Sequence, residues 1–551
     1  MRHADGPLLS IDVTDRTARD VDITEDCERF IGGRGLGTKL AYDRIPIDAD
    51  PFGPENRLYF TIGPMQSSAM SFTGRMNATS LSPLTDGLAS SNAGGYTSRP
   101  MARTGYSAVE FVGKSEDLLA VHVSDDGVSF EAVPQLREAT VSETGEYMRE
   151  THGIGENKLI VTGPAGENLV RYASIVTSGS RVFGRGGLGA VLGSKNVKAI
   201  SFDGHAETAV DLGAVRDEVN HRARTYDHEM KRSGTNSVTA LSSERNALPT
   251  ENFQRQSYEE GIDGIDGDAV AEKKHETGTC SACAFACKVP TRDEETGIET
   301  DGPEHETAMS FGSNVLVDDV VSVMKSNELC DQLGLDTISA GNSIAAYLAA
   351  DGGFGDDERI HELIEQIAYR EGVGDRLAEG VDRIHDELGV ENWTVKGMEM
   401  PSHDGRELHG QGLSYATANL GADHMYARFY SYEYPLLPSE EAVPSHGLEG
   451  KPAKLIEREN QMALNDSGIL CQFSFYVTEA RYEAAFDADY EDLLEVGART
   501  IEYERRFNNR RGFDRRDDQL PYDLPDFASA LDEYYELRGW NEDGTVPAID
   551  S

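Results

Sequence analysis

Apolar and polar residues alternate near the start of the chain. Leu9, Ile11 and Val13 sit between polar neighbours and meet a turn at Asp15-Arg16, the two-residue period of a half-buried strand. A second strand-like stretch runs from Ala108 to Val133, where SAVEFVGK and LLAVHVSDDGVSFEAV carry an Asp-Asp-Gly turn. From about residue 206 the period lengthens. Segments 208–232, 316–350, 358–388, 451–464 and 488–507 place apolar residues every three to four positions, as in DLLEVGARTIEYERRF, which predicts amphipathic helices. Boundaries therefore fall near 205 and 398, and no internal repeat or low-complexity tract is evident.

Composition narrows the function classes. A length of 551 residues suits three to four domains. The 51 basic residues against 97 acidic ones leave a net charge of −46. That charge repels nucleic-acid phosphates and anionic membrane surfaces alike. It is spread along the chain, and 38% hydrophobic residues with 22 Tyr and 19 Phe supply a large core. The expectation is a folded protein with a strongly solvated acidic skin, suited to a halophilic cytoplasm where salt screens self-repulsion. No window approaches 18 uninterrupted apolar residues, and the N-terminal MRHADGPLLSIDVTD has no signal-peptide apolar core, so the expected location is the cytoplasm. Three of the six cysteines lie within eight residues. In an intracellular chain such clustering reads as metal or redox chemistry rather than disulfides.

The strongest local motif is Cys280-Ser-Ala-Cys283-Ala-Phe-Ala-Cys287. Three thiolates at this spacing can grip three corners of a cubane iron–sulfur cluster, with a distant fourth thiolate completing it. A thiolate zinc site is the alternative. Cys27 and Cys330 read as small buried hydrophobes. Gly184-Arg185-Gly-Gly-Leu-Gly189 fits a dinucleotide fingerprint. Its preceding residues do not form a buried parallel strand, which leaves a Gly-rich anion cradle as the alternative. Two segments echo each other: Asp331-Gln-Leu-Gly-Leu335-Asp336 and Asp466-Ser-Gly-Ile-Leu470-Cys471. They read either as helix ends with capping Asp or as carboxylates aimed at a polar heterocycle, and the second ends in a cysteine. Glu306 and His424, in Gly- and Pro-containing surroundings, are candidates for acid–base work.

Together these motifs resemble the aldehyde ferredoxin oxidoreductase family. The likeness covers nearly the full length, from FIGGRGLGTKLAYDRIP through SFTGRMNATSLSPLTDGLASSNAGG, GRGGLGAVLGSKNVKAI, CSACAFAC and GPEHET to GLSYATANLGADH, DSGILC and FNNRRGFDRRDDQLP. The resemblance implies an α+β multidomain fold: an N-terminal two-sheet antiparallel β domain over 1–205, then mostly α-helical domains over 206–397 and 398–551. It implies a tungsten (or molybdenum) bis-pterin cofactor at their interface, a [4Fe-4S] cluster on Cys280, Cys283, Cys287 and Cys471, and Mg2+ bridging the pterin phosphates at the carbonyls of Asn92 and Val182. Arg75, with Gly184 and Arg185 of the Gly-rich loop, falls to the phosphate side. Asp331, Leu335 and Asp336 match one pterin segment, and Asp466 and Leu470 the other, where Ile469 replaces an expected Gly. Glu306 and His424 match the residues that handle protons, and His305 stands where Tyr is frequent.

The implied reaction is oxidation of an aldehyde to a carboxylic acid. His424 donates to the carbonyl oxygen, Glu306 accepts a proton, and electrons leave through the cluster to ferredoxin. Reduction of carboxylic or aromatic acids, an NAD-dependent dehydrogenase and a zinc-stapled non-enzymatic protein are the alternatives. A homodimer is compatible, but an intersubunit iron on E-x-x-H pairs is not expected, since Lys325-Ser-Asn-Glu stands at the first position and Glu358-Arg-Ile-His361 is the nearby pair.

Overall fold

The computed structural model describes residues 1–206, 210–434, 441–474 and 478–548. The first two hundred residues form two six-stranded sheets. One contains β1 (Leu8–Asp12), β2 (Thr17–Val21), β3 (Leu58–Thr61), β4 (Met76–Leu81), β5 (Leu88–Ala93) and β6 (Ala108–Val112). The other contains β7 (Leu119–Ser124), β8 (Gly127–Ala132), β9 (Leu159–Thr162), β10 (Ile175–Thr177), β11 (Arg181–Phe183) and β12 (Val197–Asp203). The strand orders are β2-β1-β6-β3-β4-β5 and β8-β7-β12-β9-β10-β11. Adding six to each label of the first sheet gives the second, so the region is two copies of one topology.

The expected antiparallel pairing needs correction. Each sheet is mixed, because β1 pairs with β6 and β7 with β12 in parallel, while the other neighbours are antiparallel. In each copy the chain makes its hairpin, crosses through a helix, forms three further strands and returns with its last strand beside its first, and such a long crossover permits parallel pairing. The alternation at Leu9, Ile11 and Val13 also misleads. Ser10 is buried too, its hydroxyl bonded to Glu110 of β6, so β1 is covered on both faces. Apolar residues of both sheets share one core, with Phe60 of β3 packed edge-on to Phe183 of β11 at 5.7 Å.

Helices follow. Gly213–Thr225 lies within one expected segment, and Lys451–Gly468 and Tyr490–Arg510 overlap two others but run past their expected ends at 464 and 507. The expected 316–350 helix is two, Val320–Leu333 and Thr337–Asp351, broken at the left-handed Gly334 (φ 74°). Segment 358–388 is likewise divided, Asp357–Tyr369 and Val381–Leu388 being its longer parts. No helix among the described residues is long and apolar enough to cross a membrane.

Candidate active site

The two echoing motifs are two copies of one backbone device. Asp331 and Asp466 each stand three residues before a left-handed helix end, Gly334 (φ 74°, ψ 49°) and Ile469 (φ 54°, ψ 43°). Neither aspartate is an N-cap. Asp336 is one, accepting from the Ile338 and Ser339 amides at 3.2 and 3.3 Å. Each motif docks on the β region by the same bond: Asp336 N donates to Tyr172 O at 3.2 Å, and Cys471 N to Phe72 O at 2.7 Å. The neighbouring glycines repeat as well. A Cβ on Gly163 would lie 2.4 Å from Leu333 O, and one on Gly63 2.7 Å from Gly468 O. Both approaches require the bare backbone. Where Gly fits the left-handed turn at 334, Ile469 adopts it with a β-branched side chain, a conformation that ordinarily costs about 1–2 kcal/mol.

Between these twin seats lie the cysteines. All four of Cys280, Cys283, Cys287 and Cys471 are free. Cys283, Cys287 and Cys471 pack on one apolar cluster with Met70, Phe72, Phe285 and Leu470. Cys280 joins them across Gly94, where a Cβ would come 2.8 Å from its sulfur. The Arg75 guanidinium bonds to Cys471 and lies close to Cys280. Burial raises the Cys280 thiol, but Arg181, Lys288, the Gly95 backbone and Arg75 outweigh it and hold the group below its usual range. Burial pushes Cys287 up to about 12, so occupation of that position by a metal displaces a proton. Arg75 Nη2 also donates to Asn92 O at 2.7 Å, the carbonyl expected to face magnesium. Val182 lies in β11, antiparallel to Val176, so the dinucleotide reading of the following Gly184–Gly189 has no parallel strand behind it.

The Asp331–Asp336 seat reaches the acid–base candidates through Arg185. Its Nε lies 3.6 Å from Asp336 Oδ2, and its Nη atoms donate to the Ala422 and Glu399 carbonyls. Glu306 Oε1 is 3.3 Å from His424 Nε2, and the Ser402 amide and hydroxyl donate to Glu306 at 2.8 and 2.7 Å. Burial raises the Glu306 carboxyl and pushes His424 and His305 down to about 4, so both imidazoles are neutral at neutral pH. Burial also raises Asp331, to about 8, and Asp466 despite Arg34 and Arg75.

Sequence reasoning missed His403. Its Nε2 is 3.9 Å from Glu306 Oε1, and its ring stacks on Tyr430 at 3.6 Å. The Pro401-Ser402 loop before it resembles the settings of Glu306 and His424 and was the available signal. Among the described residues, buried Arg185 Nε, His305 Nε2, His403 Nδ1, His424 Nδ1 and Gln472 Oε1 have no hydrogen-bond partner. Such atoms are rare in a self-sufficient core and fit a polar group received from outside.

A two-sheet base with twin docking loops, a four-thiol cluster and a buried carboxyl–imidazole pair defines a cofactor-dependent redox class of fold. The family profile "Aldehyde ferredoxin oxidoreductase, N-terminal domain" matches residues 8–204, and "Aldehyde ferredoxin oxidoreductase, domains 2 & 3" matches 214–548. The chain belongs to the aldehyde ferredoxin oxidoreductase family. It is 34% identical to the tungsten-containing aldehyde ferredoxin oxidoreductase of Pyrococcus furiosus over 95% of this chain and 94% of the relative. It is 32% identical to that of Thermococcus kodakarensis over 95% and 94%. An aliphatic sulfonate oxidoreductase, WOR-like subunit, of Pyrococcus furiosus is 26% identical over 98% and 95%. The solved active-site complex BamBC of benzoyl coenzyme A reductase shares the fold at TM-score 0.84 and 22% identity, covering 99% of this chain and 96% of that one.

Proposed function

We propose that this oxidoreductase oxidises an aldehyde to the carboxylic acid with a tungsten (or molybdenum) bis-pterin centre, passing electrons through a [4Fe-4S] cluster to ferredoxin. The observation that carries the reading is the convergence of four free thiols and the Glu306–His424 pair on the twin seats. The 34% identity to a tungsten-containing relative supports the metal. Cys280, Cys283, Cys287 and Cys471 would hold the cluster. Among the described residues, no three of these sulfurs lie within 4.8 Å of one another. Asp331, Leu335 and Asp336 would receive one pterin, and Asp466 and Leu470 the other. Arg75, Gly184 and Arg185 would face the phosphates, with Mg2+ at the Asn92 and Val182 carbonyls.

When bound, the metal centre would supply two-electron acceptor chemistry. The chain's own residues then handle protons: RCHO and water give RCOOH, two protons and two electrons. His424, neutral because burial depresses it to about 4, serves as a hydrogen-bond donor to the carbonyl oxygen rather than as an imidazolium acid. Glu306, raised by burial and held by Ser402, exchanges a proton with water beside it. His305 and His403 add two uncharged rings to the pocket wall, which suits a neutral aldehyde over a carboxylate. A homodimer and a cytoplasmic location complete the proposal.

Tungsten, iron and pterin analysis of protein made by its native host, followed by dye-linked assays across aldehydes, tests this reading. Glu306→Gln and His424→Asn are expected to lose at least a hundredfold in turnover with metal content intact. Full activity in both, or protein without tungsten, molybdenum and pterin, overturns it.

A further inference from the structure

The second sheet carries donors that the proposed reaction does not use. His122 of β7, Glu131 of β8 and His152, the last residue of the helix Val141–His152, converge from three elements. His152 Nε2 lies 2.8 Å and His122 Nε2 3.4 Å from Glu131 Oε2. One ligand atom from each residue falls within 4.8 Å of the other two. The outer contacts are set as metal ligands require. His122 Nδ1 pairs with Ser201 Oγ at 2.8 Å, which frees Nε2, and Tyr147 OH donates to the other Glu131 oxygen at 2.8 Å. The group lines a cavity of about 370 Å³ with Phe130 and Asp203.

The first sheet, built on the same topology, shows what this location holds when it is closed. There the last residue of the helix Gly33–Arg44 donates to Glu110 of β6 at 2.8 Å, Arg57 pairs with the same carboxylate at 3.0 Å, and Ser10 of β1 adds its hydroxyl. That carboxylate is saturated by guanidinium. In the second sheet the helix end and the first strand offer imidazoles instead, Ser201 of β12 stands at the register position of Glu110, and the carboxylate is Glu131 of the neighbouring β8, which faces a cavity. We propose that His122, Glu131 and His152 form a binding site for a zinc-class divalent transition ion, with its fourth position open to that cavity. Two imidazoles with one carboxylate select such ions over magnesium or calcium, and three protein ligands leave one position for water.

Untagged holoenzyme is dialysed against micromolar Zn2+ and freed of excess. The expected result is one additional zinc per chain, with nitrogen and oxygen but no sulfur neighbours by zinc-edge X-ray absorption. His152→Asn and Glu131→Gln should each lower that zinc at least tenfold while tungsten, iron and aldehyde turnover stay at parent levels. His152 lies at a partly exposed helix end, so its variant keeps the fold, and unchanged tungsten and iron verify this. No added zinc in the parent, sulfur in its shell, or undiminished zinc in both variants overturns the assignment.

Discussion

Arg34 is the cation on which one seat turns, and its replacement gives a number that can be tested. The side chain is 5% exposed and grips Glu504 with two bonds, Nε to Oε1 at 2.7 Å and Nη2 to Oε2 at 2.9 Å. Its Nη1 reaches Asp466 Oδ2 at 3.3 Å, and Tyr426 stacks 4.5 Å from the guanidinium while donating to Glu504 at 2.7 Å. Arg34→Met keeps the volume but leaves Glu504 buried without a cation, a change that costs about 3–5 kcal/mol. The variant should therefore lose about 3–5 kcal/mol at pH 7, with tungsten content falling as Asp466 loses its tether. Adding Glu504→Gln should recover most of the pH 7 loss, since the amide keeps the Tyr426 bond. Urea unfolding followed by emission of the two tryptophans reads both values. A loss under about 1 kcal/mol at pH 7, or a double variant no more stable than the single one, would refute the reasoning.

Three other outcomes follow from different parts of the molecule. Gly163→Ala drives a methyl to 2.4 Å from Leu333 O, so it should cost about 1–3 kcal/mol and lower tungsten content; Gly145→Ala, whose nearest contact is an ordinary 3.5 Å, should do neither. Burial depresses His305 and His424 from 6.5 to about 4, so the unfolded chain takes up protons first and stability, intact above about pH 6.5, falls as pH drops towards 4. His305→Gln should flatten that fall in urea midpoints, and an unchanged slope would sink the assignment. With a net charge of −46, raising KCl from 0.1 to 2 M shortens the screening length from about 10 Å to about 2 Å and should raise the melting temperature; a flat salt profile would remove the halophilic reading.

Some of this was visible in residue order, and some was not. The C-x2-C-x3-C run announces chemistry by its spacing alone, and the D-x-x-x-L echo does so because a helix end fixes the geometry of its last turn locally. The same echo carried a fold signal: Gly334 marks the break that divides segment 316–350. The duplication of the β region left almost no trace in sequence, because strand order is set by pairing and each copy fills its sheet with different side chains. What survives is a Gly-Pro after β3 and β9, Gly63-Pro64 and Gly163-Pro164, where close backbone approach admits nothing larger. His403 escaped because one histidine in a loop has no periodicity; its meaning arises only when Tyr430, Glu306 and His424 are brought beside it.

The distribution of charge ties the outer surface to the interior. A chain with 51 basic residues among 97 acidic ones places Arg75, Arg181, Arg185 and Lys288 around two seats and a thiol cluster. Interior cations need anions: Arg181 pairs with Asp301 and Lys288 with Glu304, whereas among the described residues Arg75 makes no ion pair with a carboxylate. Arg75 bonds a thiol and a carbonyl, Arg185 Nε lacks a hydrogen bond, and burial biases Asp331 and Asp466 towards their neutral forms. An anionic, sulfur- and phosphate-bearing guest would supply the missing charge. A chain with such a site would gain stability when loaded. The acidic exterior raises the cost of misplacing such a guest, since bound at the surface it would meet carboxylates.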